Sequence, residues 1–410
     1  MNTPIPSSHS PEPPPWRIVV IGVVALAVAM GIGRFAFTPL LPLMLRDGSL
    51  AVASGAEWAA ANYVGYLLGA LTATRYSLNP VRGLHLALMG VTVTTLAVAF
   101  VGGESAALVG AMLRAAAGVF SAWVLVCVSS WGLSELARRH VSHLGALIYA
   151  GVGLGITLAG LIAWLGGLQR ATWLWAEFGV LAAAGSWFVW KWSGQAGPER
   201  SPPVAAAPHR PKGGRWWGQV GLVFCYGSFG FGYIVPATFL PAMAREQVSD
   251  PLVFGLAWPL FGLSAALSVV AAARWLRSWP RQRVWALAQA AMALGTALPL
   301  TTRSLWALAL SAVFVGGTFM VATMAGLQLA RERSPADPTR LLARMTGAFA
   351  VGQIIGPLAV RAIGADTWWG WNALMWANAL ATVLLALTAS WLWFHPRGAD
   401  APAAARSPSD

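Results

Sequence analysis

The chain has 410 residues, 57% of them hydrophobic and only 10% charged, with a mean hydropathy of +0.62. That balance excludes a soluble domain with a solvated surface. The formal charge of +13 does not mark a nucleic-acid binder, because the basic residues do not gather into a stripe with stacking aromatics but punctuate apolar runs at intervals.

Residues 1–15 are polar and proline-rich and predict a disordered tail. The apolar run that follows is too long for a signal-peptide core, so it is predicted as an uncleaved first span. A helix crossing the roughly 30 Å hydrocarbon layer needs about 20 apolar residues. Twelve runs of that size follow in order, at residues 18–45, 54–75, 83–102, 105–131, 142–166, 171–192, 216–244, 252–275, 283–302, 304–330, 340–363 and 369–394. Between the sixth and seventh lies the one long polar segment, residues 193–214, with Pro198, Pro202, Pro203, Pro208 and Pro211. It predicts a linker between two six-helix bundles, 16–192 and 215–395, and residues 396–410 predict a second disordered tail. With both termini in the cytoplasm and the chain in the inner membrane, most basic residues fall inside, and only Arg46, Arg170, Arg245, Arg303 and Arg361 fall outside. Many of the 23 tryptophans, among them Trp16, Trp173, Trp216, Trp217, Trp368 and Trp393, sit where an interfacial aromatic belt is expected.

The halves repeat. Gly31, Gly33, Leu41, Pro42, Met44, Arg46 and Asp47 match Gly230, Gly232, Leu240, Pro241, Met243, Arg245 and Glu246 at the constant offset of 199 residues that carries Arg34 onto Tyr233. Gly151 and Gly155 echo Gly352 and Gly356. Six spans repeated in parallel orientation are the organisation of major facilitator halves. The string from Gly31 through Arg34-Phe35-Ala36-Phe37-Thr38-Pro39 to Met44, with Asn62-Tyr63-Val64-Gly65-Tyr66 through Ala70 in the next span, resembles the YbfB/YjiJ-type subgroup of that superfamily over nearly the whole chain. The resemblance implies an all-α membrane fold of twelve helices in two bundles related by a pseudo-two-fold axis, with spans one, four, seven and ten lining a central cavity. It implies no substrate. Where the superfamily pattern places an Asp four residues after the Gly of its second span, this chain has Ala73.

Arg34 falls near mid-depth of the first span, and Arg114 lies roughly 13 Å into the fourth at 1.5 Å per residue. An intramembrane arginine costs about 2.5–3.5 kcal/mol on insertion scales and needs a partner, a wet cavity or a role. Both are candidate contacts for a carboxylate or phosphate, which a guanidinium grips bidentately. The structural alternative pairs Arg34 with Glu57 and turns Arg114 to helix carbonyls. Tyr233, Phe37, Thr38 and Gln328 join them as candidate substrate contacts. Pro39 and Pro42 in the first span, and Pro236 and Pro241 in the seventh, remove backbone donors and predict paired helix breaks beside these positions. Glu57 and Glu177 are candidate proton carriers, and outer-interface residues otherwise. Asn62, Gln289, Gln353, Asn372 and Asn378 are expected to make interhelical hydrogen bonds or to line the pathway. The pairs Gly65/Gly69, Gly151/Gly155 and Gly352/Gly356 predict close helix contacts, either sliding surfaces between the halves or packing within one.

Neither lysine, Lys191 nor Lys212, completes a phosphate-binding loop. His140 and His143 have no further ligands nearby, so no metal is expected, and no cofactor or catalytic constellation is expected either. The residues therefore point to a secondary transporter, a monomer in the lipid bilayer without nucleic-acid partners, moving a small anionic solute by alternating access, with or without protons. The alternative is proton-driven export of hydrophobic or cationic compounds. Against it, the superfamily's export signature in span five ends in Gly-Pro, whereas residues 141–166 contain no proline.

Overall fold

The structure is a computed structural model that describes residues 14–76, 79–103, 106–193, 213–247, 255–302, 304–334, 338–363 and 367–395. The expected tails (through residue 13 and from 396) and all but the edges of the linker lie outside these residues. The described residues form twelve long helical segments: α1 (Pro15–Arg46), α2 (Val52–Tyr76), α3 (Pro80–Val98), α4 (Ala106–Arg138), α5 (Ser142–Leu165), α6 (Ala171–Ser193), α7 (Gly213–Gln247), α8 (Ala257–Trp275), α9 (Arg281–Thr301), α10 (Leu305–Arg333), α11 (Pro338–Ile363) and α12 (Ala373–Phe394). Ten of these are long and apolar enough to cross a membrane by length and composition. The other two are α2, which carries Glu57, Asn62 and Arg75, and α6, which carries Glu177, Lys191 and several tryptophans. Hydrocarbon offers the backbone no hydrogen bonds, so helices are what such runs become.

Local signals set the ends. Side chains of Asn79, Ser304 and Asn372 accept the backbone N–H groups of Arg82, Ala307 and Met375 and start α3, α10 and α12. Gly48, at φ +66°, ends α1 in a Schellman turn, with Ser49 N–H donating to the Met44 carbonyl at 3.1 Å. At the far face from the chain termini, Arg46 donates to the carbonyls of Gly167 and Gln169, while the Asp47 carboxylate accepts the Ala171 N–H at 2.7 Å and pairs with Arg46 at 2.8 Å. One turn thereby ties the end of α1 to the start of α6.

The repeat is visible in the packing. Within the first half α2 packs on α4, α1 on α5, and α3 on α4 and α6; within the second, the same pairs recur six helices later as α8 on α10, α7 on α11, and α9 on α10 and α12. The halves meet along α5 with α8 and α2 with α11, with a smaller contact of α1 and α7. The glycine pairs singled out in the sequence lie elsewhere. Gly65 and Gly69 face the α4 backbone at Ala115 and Val119, Gly151 and Gly155 face α1 at Val23 and Ala27, and Gly352 and Gly356 face α7. All six pack within a half, and the glycines between the halves are Gly153 and Gly160 on α5 and Gly262 on α8, which meet Ala266, Pro259 and Thr157. The reason is helical geometry: positions i and i+4 share one face, so Gly151 and Gly155 commit that face to α1, and Gly153, two residues on, points to the opposite side.

Gly153→Val is therefore expected to lower thermal stability and disrupt association of the halves, because a Cβ there meets the Ala266 backbone and the Gly262 carbonyl. Gly102→Val, where a Cβ meets nothing within 4 Å, is the neutral control, and melting curves in detergent compare the two. At the clamp, burial by itself raises the Asp47 carboxyl, but the Ala171 amide and the Arg46 guanidinium outweigh it and hold the group below its usual range. A carboxyl depressed in the folded state stabilises above its unfolded value of about 3.9, and that contribution is lost as pH falls through the lowered value. Asp47→Ala is expected to cost about 1 kcal/mol at neutral pH, and its difference from the parent protein should shrink on acidification below about pH 4.

Candidate functional site

The site begins with a defect in α1. Residues Pro15–Leu26 are α-helical, Ala27–Phe35 open into a π-helix, and a turn at Ala36 leads into a second α-helical stretch, Phe37–Arg46, with Pro42 inside it. Pro39 has no N–H to give the Phe35 carbonyl, and such openings leave carbonyls that hydrocarbon cannot satisfy. Helix α4 sends side-chain donors into the opened segment. Ser121 Oγ donates to the Ala29 carbonyl at 2.7 Å, and Arg114 donates from Nη1 to Gly33 at 2.8 Å and from Nη2 to Arg34 at 2.7 Å. Gly31 admits the approach of α5, its Cα side lying against the Gly155 backbone.

This defines Arg114. It is buried, its guanidinium lies over Phe37 and Trp175 at 5.1 and 5.8 Å, and its own carbonyl accepts from Asn62 Nδ2 at 2.9 Å. Hydrogen bonds from a charged donor contribute about 1.5–3 kcal/mol each, so the two together offset the insertion cost of about 2.5–3.5 kcal/mol. Of the two readings of Arg114, anion contact or partner of helix carbonyls, the geometry matches the second. Helix α7 differs from its repeat partner: despite Pro236 and Pro241 it runs as α-helix from Gly213 to Gln247, so the predicted pair of breaks is a single break. The physical difference lies in the neighbour, since α10 has no basic residue between Leu305 and Ala330 to serve carbonyls of α7 as Arg114 serves those of α1.

With its carbonyl held by Arg114, Arg34 sends its side chain toward the second half. The residue is 3% exposed. Nη2 donates to Gln353 Oε1 on α11, the guanidinium carbon stands 3.9 Å from the ring centre of Tyr66, and the rings of Phe35 and Tyr63 lie at 5.2 and 5.6 Å. Nε makes no hydrogen bond. Gln353 Nε2 in turn donates to the Tyr233 hydroxyl. The order of that amide is forced, because a guanidinium only donates and so the amide oxygen must face it. Tyr233 is stacked between Phe319 and Phe349, with centroids 5.3 and 5.6 Å away and planes within 9° and 3° of parallel. Phe35 reaches across to Trp258 and Phe319, and the Tyr63 hydroxyl meets Thr238 Oγ1 at 3.4 Å. The repeat-equivalent residues Arg34 and Tyr233 therefore converge on one glutamine, in a ring of aromatics drawn from both halves.

The other expected residues fall outside this cluster. Phe37 is buried against Trp58 and Arg114, and Thr38 is half-buried at the start of the second stretch of α1. Gln328 lines a separate cavity of about 250 Å³ with Leu133, Tyr149, Met324 and Arg331, nearer the face that carries the chain termini. Glu57 and Glu177 are exposed: Glu57 shares the outward stripe of Val64 and Leu68, and Glu177 stands between Trp173 and Val180. Among the described residues no carboxylate lies within ion-pair distance of Arg34 or Arg114, so the expected Arg34–Glu57 pair is not formed. Tyr63 and Tyr66 are absent from the residues the sequence singles out for the site, and Gln353 stands there only among several amides expected to line the pathway or bond between helices. The two tyrosines sit three apart, on the face of α2 beside Asn62, and that spacing is the signal that could have found them.

The profile of the uncharacterised major-facilitator-type transporter YbfB matches residues 26–391. The chain belongs to that family. As a YbfB-type protein it is a multi-pass membrane protein of the major facilitator superfamily, and its family is one of transporters. Two solved transporters share its fold. The human organic anion transporter MFSD10 superposes with a TM-score of 0.68 at 17% identity, over 93% of this chain and 100% of that one. A D-xylose–proton symporter superposes with 0.71 at 12% identity, over 92% and 97%. At these identities the likeness is one of fold. No curated protein sequence matches the chain.

Arg114→Met is expected to leave the carbonyls of Gly33 and Arg34 bare, at about 1–3 kcal/mol each. Arg114→Lys, a point donor that replaces a fork, should fall between. Thermal unfolding in detergent checks the order.

Proposed function

We propose that this YbfB-type protein is a secondary transporter that carries a small organic anion by alternating access, with Arg34 as the anion contact. The observation that carries the proposal is a buried guanidinium at the junction of two halves, held there by a neutral amide and aromatic rings, with no carboxylate partner among the described residues. An unneutralised charge at such depth is costly unless a ligand completes it. Helices α5, α8, α2 and α11 supply the contacts about which the halves would rock. The cavity among α4, α5 and α10 supports a path toward the face of the termini, while the Tyr63–Thr238 contact bridges the halves nearby.

The positive-inside pattern supports placing that face in the cytoplasm and the protein in the inner membrane. Because one chain supplies both sides of the site, a monomer suffices. Export of cationic compounds is disfavoured by the buried positive charge, which repels them in a medium of low dielectric. Coupling through Glu57 or Glu177 has little support, since a proton taken up on those exposed carboxyls would be separated from Arg34. Transport without a proton carrier, as uniport or anion exchange, fits the arrangement better.

Arg34→Gln, reconstituted in liposomes, is expected to lose at least 90% of the transport of an organic acid carried by the parent protein, while its elution profile on size exclusion stays monodisperse. Unchanged transport would remove Arg34 from the site.

A further inference from the structure

The position of Gln353 says more about what the site takes. We propose that its amide oxygen occupies the seat of the substrate's carboxylate, and that the substrate is a monocarboxylate with a flat, apolar body. The inference rests on the anion contact assigned to Arg34.

Nη2 and Nε lie on one edge of the guanidinium. Gln353 Oε1 takes the first and leaves the second bare. A single amide oxygen cannot fill an edge built for two acceptors, whereas a carboxylate has two oxygens in the matching geometry. A carboxylate that displaced the amide would take Nη2 and Nε together, an exchange of a neutral acceptor for a charged bidentate one. Displacement also frees the Tyr233 hydroxyl. Its oxygen now accepts from Gln353 Nε2, and its own O–H, which has no acceptor among the described residues, is a ready donor to the incoming anion.

The charge of the substrate follows from counting cations. Arg114 is the other buried guanidinium, and both its terminal nitrogens are bound to carbonyls of α1. One free guanidinium matches one negative charge, and a second carboxylate or a phosphate dianion would be desolvated without a partner. The shape follows from the walls. Tyr66, Tyr63 and Phe35 turn ring faces to the Arg34 guanidinium from the first half, and Tyr233, with its faces covered by Phe319 and Phe349, turns its hydroxyl to Gln353 from the second, so the space the amide vacates is walled by ring faces of the first half. Offset stacking favours a planar body. The empty-site tie is one-sided: the position on α5 that corresponds to Gln353, by the offset that aligns Gly151 with Gly352, is Val152, which is buried and apolar. Only α11 is therefore released when the anion arrives.

The test is binding to the purified full chain in detergent, by calorimetry and thermal shift, with benzoate as the flat monocarboxylate, malonate and inorganic phosphate as the multiply charged anions, and benzylamine as the cation. The parent protein should bind benzoate at least tenfold more tightly than malonate, phosphate or benzylamine. Gln353→Met removes the competing oxygen and should tighten benzoate about tenfold. Gln353→Glu installs a permanent carboxylate and should abolish the benzoate response while melting no lower than the parent. Arg34→Gln should abolish it as well. If Arg34→Gln abolishes binding but Gln353→Glu still binds benzoate like the parent, the seat is wrong and the anion contact stands. Equal or tighter binding of malonate or phosphate, or no benzoate response in the parent, overturns the substrate class. Undiminished binding by Arg34→Gln overturns the anion contact itself. Should Gln353→Met fail to fold, the Glu variant, which keeps a partner for Arg34, decides alone.

Discussion

A backbone carbonyl in hydrocarbon must find a donor, and the centre of this protein is organised around three carbonyls of α1 that accept side-chain donors from a neighbouring helix. Where α1 widens between Ala27 and Phe35, the carbonyls of Ala29, Gly33 and Arg34 take their hydrogen bonds from Ser121 and Arg114 of α4. Those bonds hold α4 against α1 and fix the break at one depth. They also occupy the guanidinium of Arg114, which makes the pair of buried arginines unequal: one is bound to backbone of its own half, the other to the amide of Gln353 in the second half. The depth of a charge in the membrane does not decide between these roles. What decides is whether bare backbone lies within its reach.

The two halves share a plan and differ where it matters. The same four helix pairs recur six helices apart, yet α1 is broken and α7 is not, and Arg34 stands where the second half has Tyr233. A cation on one side and a phenol on the other meet at Gln353, so the repeat-equivalent positions form a site that is itself asymmetric in charge. Around it, Phe319 and Phe349 hold Tyr233 in one plane, and Phe35 joins Trp258 and Phe319 across the junction. Aromatic rings suit such a place because they fill volume, lose little rotamer freedom and attract a cation through their faces.

The contacts between the halves are of two kinds. The junction of α5 and α8 brings Gly153, Gly160 and Gly262 against Ala266, Pro259, Thr157 and Ile156, with backbone approaching backbone at Gly153 and Gly262. Small residues let the two backbones approach closely there. The Arg34–Gln353 bond is the opposite kind, a directional tie that holds or is broken, and its release is where ligand occupancy can be felt by the helices.

Membrane class, the number of helices and the division into related halves were legible in the sequence, because hydrocarbon imposes one rule at every residue and a repeat at a fixed offset survives as identities. Arg34 and Tyr233 could be named as equivalent from that offset alone. The rest depended on which way each helix turns. Gly151 and Gly155 were recognisable as a close-contact pair, but only rotation about the α5 axis decided that they face α1 and that Gly153 faces α8. For Glu57 and Glu177 the sequence left both a proton-carrying and an outer-interface position open, since an exposed and a buried position differ by a single residue along a helix, and packing leaves both exposed. Gln353 was one of several intramembrane amides of equal standing until tertiary packing set it between Arg34 and Tyr233, residues about 320 and 120 positions away. Composition and period report the solvent around a helix; the partner across it is fixed by packing between segments distant in the chain, which no local pattern encodes.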